Sequence, residues 1–226
     1  MQVVREHCVA FGRQRCGDAG LARHRHRRGY ITVVISGRYR ETGDSGNHEV
    51  QPGDVLLHRD YEAHLNIFHQ APVGILNLPL PAAAPRGARL RLVDVDSVAR
   101  LAEMDLNAAA ALACKADAQP ELASDWPDLL AEELRGPEAL TIREWADRHG
   151  LNPATVSRGF HRHYGTTPSR YRAEARVRRS IGMIRETSAL LTAVSQEGGF
   201  ADQPHMCRSI RSMTGFSPKH FRRRAG

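Results

Sequence analysis

No stretch of this chain stays apolar for the roughly 20 residues that a membrane-spanning helix requires, so a helical membrane protein is not expected. Cysteine is sparse: Cys8, Cys16, Cys114 and Cys207 are scattered, contain no CxxC pair and suggest neither a disulfide framework nor a zinc finger. Free thiols are expected, with Cys8 and Cys16 as a redox or metal pair the alternative. The amino terminus, MQVVREHCVAFGRQRCGDAG, has a charge or glycine in every apolar run, so no secretory signal is expected and a cytoplasmic protein is. Signs of wholesale disorder are missing too, because 41% of the 226 residues are hydrophobic and 25% charged. That length suits two compact domains of about 100 residues each.

What is present is positive charge, unevenly spread. Residues 137–226 hold 16 Arg plus Lys against 7 Asp plus Glu, or +9, while residues 1–136 hold 16 against 18, or −2. An excess of this kind attracts polyanions, nucleic acid above all. Charge alone also fits an inert basic surface.

Three regions follow along the chain. Residues 20–81 read as β: YITVVISGRYRE is a β-branched run with a turn signal at Ser36-Gly37, EVQPGDVLLH turns at Pro52-Gly53, and VGILNLPLP closes the series. Short strands at such spacing predict a small barrel or sandwich. PAAAPRGA, residues 81–88, is a punctuated linker. Beyond it Val98, Leu101, Met104 or Asp105, Ala108 and Leu112 recur at helical intervals, with Ser97 as N-cap. A second helix opens at Ser124 or Asp125 with Pro127 in its first turn. These helices either bridge the domains and pair with a second copy or pack within one chain.

From Leu140 the chain repeats. SRGFHRHYGTTPSRYR, residues 157–172, aligns with CRSIRSMTGFSPKHFR, residues 207–222: Arg158 with Arg208, Phe160 with Ile210, Gly165 with Gly215, Pro168 with Pro218, Tyr171 with Phe221 and Arg172 with Arg222. Each copy orders a helix, a glycine-containing turn, a second helix and a Gly-x-x-Pro stop, which is the grammar of a helix-turn-helix. In the second helix Val156 and Phe160 turn inward, leaving Ala154, Thr155, Ser157, Arg158 and Arg162 toward double-stranded DNA. Its counterpart turns Met206 and Ile210 inward and leaves Gln203, His205, Arg208 and Arg211 outward. Pro153 and Pro204 fit first turns, behind Asn152 and Asp202 as N-caps. Between the copies, RYRAEARVRRSIGMIRE reads as one connecting helix, with Val177, Ile181 and Ile184 on one face and Arg176, Arg178 and Arg179 outside it. Such a rod is suited to holding two recognition helices about 34 Å apart. Arg222, Arg223 and Arg224 are expected as phosphate contacts or tail charge.

Residues from about 140 to 224 resemble the DNA-binding domain of the AraC/XylS transcription regulators, on the strength of the paired units and of GFADQPHMCRSIRSMTGFSPKHFR. Pro204 and Met206 replace a small polar residue and an aromatic of the commoner pattern, and Gly159 sits inside the first recognition helix. The resemblance implies a sequence-specific regulator, with RNA polymerase as a partner if it activates; a homodimer, through the helices between residues 97 and 135, is one expected assembly.

In the amino-terminal half, His24 and His26 share a strand face by alternation, and His64 ends a later turn. This spacing resembles a cupin, the β-barrel often joined to such DNA-binding domains. The resemblance implies histidines converging on a divalent metal (zinc, nickel, copper or iron), with His58, His69 and Glu41 as further donors. Arg28-Gly29-Tyr30 stands where the metal-binding pattern has glutamate, and Arg59 and Tyr61 replace its proline and glycine. A pocket for a small-molecule effector, or a structural role, are the other readings of these histidines. The expected fold class is α+β, with a cupin-like β-barrel over residues 1–81, a helical linker with dimerisation helices over 82–136 and an all-α DNA-binding domain with two helix-turn-helix units over 137–226. The alternative function is a metal-binding or metal-dependent cupin protein or enzyme.

Overall fold

A computed structural model of the chain describes residues 5–6, 8–17, 20–85, 89–119, 125–137 and 140–222. It divides into two compact units, Met1–Ser124 and Asp125–Gly226. Parts of the expected linker (residues 86–88), Ser124, Arg223 and Arg224 lie outside the described residues.

The first unit holds β1 (Arg5–Glu6), β2 (Gly12–Cys16), β3 (Leu21–Arg25), β4 (Tyr30–Gly43), β5 (Gly46–Val50), β6 (Asp54–His58), β7 (Ala63–Pro79), β8 (Arg89–Arg91) and β9 (Asp117–Ala118), with helices α1 (Val95–Ala102) and α2 (Leu106–Ala113) before β9. All nine strands form one sheet in the order β1-β3-β7-β4-β6-β8-β9, with β2 joined to β7 and β5 to β4. Every pairing is antiparallel except β1 with β3. The path is open: among the described residues no pairing joins β1 to β9, so a closed cupin-like barrel is not what these strands trace.

Two long strands make the frame. β4 has 14 residues and β7 has 17, and they pair over most of their length. The turn expected at Ser36-Gly37 is instead a bulged passage within β4, where the register shifts between Val34 and Tyr39 and Gly37 takes φ +80. β4 turns later, at Asp44-Ser45, whereas the turn expected at Pro52-Gly53 is present. Ile31, Val33, Val55, Leu57, Leu76, Leu78 and Leu90 build one core face, covered by Val98 of α1 and Ala109, Ala110 and Ala113 of α2. Asp94, not Ser97, caps α1, and Asp105 caps α2, so the expected single helix breaks at residues 103–105.

The second unit comprises α3 (Trp126–Arg135), α4 (Ile142–Arg148), α5 (Pro153–Tyr164), α6 (Pro168–Glu186), α7 (Leu191–Glu197), α8 (Gln203–Thr214) and α9 (Pro218–Arg222). Leu130, Ala131 and Leu134 of α3 join Trp145, Val156, Phe160, Tyr164 and Tyr171 in one core. The helices expected between the domains are therefore divided, α1 and α2 on the sheet and α3 in the helical unit. The 19-residue α6 packs against α3 and α5 and also against α7, α8 and α9, so both repeats share it. Among the described residues no helix is long and apolar enough to cross a membrane.

Candidate nucleic-acid interface and buried histidine cluster

The repeat read from sequence is a repeat of structure. α5 and α8 each have 12 residues, open on Asn152 and Asp202, whose side chains accept backbone N–H bonds, and stop at Gly165 and Gly215 in left-handed conformation, φ 63 and 78. From 152 to 165 and from 202 to 215 the sequence of buried, half-buried and exposed positions is the same at every step. Val156, Phe160 and Tyr164 face inward on α5, and Met206, Ile210 and Thr214 do so on α8.

On the opposite face Thr155, Arg158 and Arg162 of α5 and His205, Arg208 and Arg211 of α8 are exposed, while Ser157 and Gln203 are half-buried. No hydrogen bond or ion pair among the described residues engages the side chains of Arg158, Arg162, Arg208 or Arg211. One residue escaped the sequence reading. At the 50-residue offset Arg211 corresponds to exposed His161, whereas Arg162 corresponds to Ser212, so the two faces share Arg158/Arg208 but place their outer cation differently. Beside α8, Gln203, Cys207, Arg208, Arg211, Ser217 and Lys219 line a groove of about 420 Å³, a cationic surface suited to an anionic strand.

Other arginines are structural. Arg172 donates to the carbonyl of Leu140, just before the Thr141 cap of α4; its repeat partner Arg222 donates to the carbonyl of Ala189, 2.6 Å away and just before the Leu190 cap of α7. Arg222 is thereby also a clamp inside its own repeat, a role the sequence did not suggest. Arg179, outside the apolar stripe of α6 as expected, reaches the carbonyls of Arg135 at 2.8 Å and Gly198 at 3.1 Å. Gly159 has a physical reason as well: a Cβ there would lie 2.5 Å from Cζ2 of Trp126, so the glycine admits α3 against α5.

In the first unit, His24 and His64 are direct cross-strand partners between β3 and β7. His24, His26, His58, His64 and Glu41 are all buried. Ring centres of His24 and His64 lie 4.4 Å apart, those of His24 and His26 4.9 Å, of His26 and His64 5.3 Å and of His58 and His64 4.7 Å. Tyr30, the cross-strand partner of His58, stacks on it at 4.3 Å. His58 and Glu41 join the group, but His69 does not, being 45% exposed and 3.4 Å from Glu49. Tyr61, where the cupin pattern has glycine, takes φ 64, and its N–H donates to the carbonyl of His26 at 3.0 Å, which ties the β6–β7 turn to the cluster. Cys8 and Cys16 are free thiols lining the same cavity as His24, His26 and His64.

Burial sets the protonation of this cluster. Desolvation, then the neighbouring histidines, lowers His58 to about 3 and holds His64 well below the usual imidazole range. Desolvation raises Glu41 to about 8, against the 2.9 Å hydrogen bond it accepts from Asn66. The 3.6 Å approach of His58 to Glu41 is therefore an imidazole beside a carboxylic acid at neutral pH, not an ion pair.

Residues 145–224 match the family described as a helix-turn-helix domain. An uncharacterised HTH-type transcriptional regulator of Bacillus subtilis (strain 168), YobQ, is 32% identical over 85 residues, which span 38% of this chain and only 35% of that protein. Among solved structures, a transcriptional regulator from Chromobacterium violaceum, titled as containing an AraC-type DNA-binding domain, is 26% identical with a TM-score of 0.39, over 42% of this chain and 84% of that one. ToxT from Vibrio cholerae, bound to an unsaturated fatty acid, covers 93% of this chain and 92% of its own at 10% identity and a TM-score of 0.42. Similarity this low leaves the helix-turn-helix match as the finding with weight.

Proposed function

We propose that the chain is a sequence-specific, DNA-binding transcription regulator of the AraC type whose first unit responds to an effector. The observation that carries this reading is the duplicated recognition helix: within a helix-turn-helix domain, α5 and α8 repeat one burial pattern and each presents exposed arginines that no group among the described residues engages. The amino-terminal part of such a helix enters the major groove, where arginine reads guanine edges or holds phosphates. A cytoplasmic location, contact with RNA polymerase and a homodimer belong to this proposal. The helix-turn-helix match gives no support to a metal-dependent cupin enzyme.

The test is selection of bound sequences from random duplex DNA, followed by titration of the selected site. An enriched motif with two half-sites is expected. Arg158→Ala and Arg208→Ala should each weaken binding by about 1–3 kcal/mol and relax preference at one half-site. Binding without enrichment would reduce the protein to a nonspecific polyanion binder.

A further inference from the structure

We propose that the first unit binds one divalent first-row transition-metal ion through His24, His26 and His64, with Glu41 and His58 as the adjoining donors that complete its coordination. Four strands supply these groups: β3 and the residue after it give His24 and His26, β7 gives His64, β4 gives Glu41 and β6 gives His58. His24, His26 and His64 form one set and Glu41, His58 and His64 a second, the donor atoms of each lying within 4.8 Å of one another, so His64 belongs to both.

Three observations point to an ion. An imidazole bound through nitrogen at about 2.1 Å has its ring centre about 3.2 Å from the metal, so rings at angles of about 90–110° stand about 4.5–5.2 Å apart. The triad's separations of 4.4, 4.9 and 5.3 Å fall on that interval to within a few tenths. Second, His24 Nδ1 lies 2.9 Å from the carbonyl of Ala22, a bond that places the proton on Nδ1 and the lone pair on Nε2, as an outer partner does for a metal-bound histidine. Third, the Oε1 atom of Glu41 is buried without a hydrogen-bond donor, with His58 Nδ1 3.6 Å away. A buried carboxyl oxygen without a hydrogen-bond partner is costly, and a cation that displaced the Glu41 proton would give it one.

Cavity size separates the ion from an organic effector. The space lined by the triad, Tyr30 and Glu41 is about 150 Å³, below the roughly 300–1,000 Å³ of organic-ligand pockets. Nitrogen donors with one carboxylate suit zinc, nickel, copper and iron over magnesium or calcium.

The experiment loads the full-length metal-stripped chain with Zn²⁺, and in parallel with Co²⁺, Ni²⁺, Cu²⁺ and Fe²⁺, and measures bound metal after desalting. Near one equivalent is expected, with Co²⁺ showing visible ligand-field absorption and Zn²⁺ raising the thermal midpoint. His64→Ala should lose more than nine-tenths of the metal, and Glu41→Gln should weaken binding at least tenfold. His69→Ala, outside the cluster, should keep it all. Should His64→Ala fail to fold, the cobalt spectrum and thermal shift of the wild type decide. Substoichiometric retention of every ion, or full retention in His64→Ala, overturns the site. A role for the ion as effector rests on the regulator reading: metal that leaves DNA affinity unchanged overturns that role, whereas failure of DNA binding strikes the regulator and leaves the site standing.

Discussion

At the scale of single residues, burial makes charge state a stability variable. In the metal-free protein Glu41 keeps its proton up to about pH 8, while the unfolded chain releases it near 4.5. Folding thus takes up a proton between those values, and stability falls as pH rises through them. His58 and His64 run the other way: unfolded, they protonate below about 6.5, and folded, His58 resists down to about 3, so stability falls as pH drops below 6.5. Denaturant midpoints across this range should show Glu41→Gln abolishing the decline between about pH 6.5 and 8 and steepening the loss of stability below 6.5, where the histidines then act unopposed. A persisting decline would assign it to another group. The paired clamps give a second expectation: Arg172→Ala and Arg222→Ala should each cost about 1–2 kcal/mol, because each strips a charged donor from a carbonyl at a helix entry. The histidines on adjacent strands were legible from strand alternation and a resemblance. Glu41, His58 and His69 were named as further donors alike, and only topology separates them, since pairing across β4, β6 and β7 brings the first two to the cluster and leaves His69 outside it.

At the scale of elements, α5 sets intrinsic propensity against packing. Alanine in a helix interior gains about 1 kcal/mol over glycine. At position 159 that methyl would meet the Trp126 ring at 2.5 Å, so Gly159→Ala should destabilise the helical unit by about 1–3 kcal/mol. In a Trp126→Ala background the same change should become stabilising, and a double-mutant cycle by thermal unfolding reads the difference. Helices were the most legible part of the chain, because caps, the period of the apolar face and stop signals are local: Asn152, Asp202, Gly165 and Gly215 all act where the sequence placed them. The sheet was less so. Ser36-Gly37 carries the chemistry of a turn, yet β7 pairs on both sides of it and draws the strand through as a bulge. Asp105 interrupts an alanine-rich helical run because its side chain binds the N–H groups of Asn107 and Ala108 and starts a new helix.

At the scale of the whole molecule, charge follows the fold: residues 137–226, with +9, all lie in the helical unit, whose net charge is +6 once Asp125, Asp128, Glu132, Glu133 and Arg135 are counted, against +1 for the first unit. Affinity for the selected site should fall with salt at a slope of about −0.9 per phosphate neutralised, and removing an arginine that holds a phosphate should flatten it by about one unit. The two recognition helices answer to one connector. α6, 19 residues and about 28 Å long, lends its side chains to both repeats, so neither can swivel without unpacking the other. On the proposed reading the helical unit would act as a fixed ruler along the duplex. One extra base pair between half-sites turns the second by about 34° and shifts it about 3.4 Å, a mismatch that must fall on the DNA. Binding sites of this chain should accordingly tolerate drift in their letters far better than drift in their spacing.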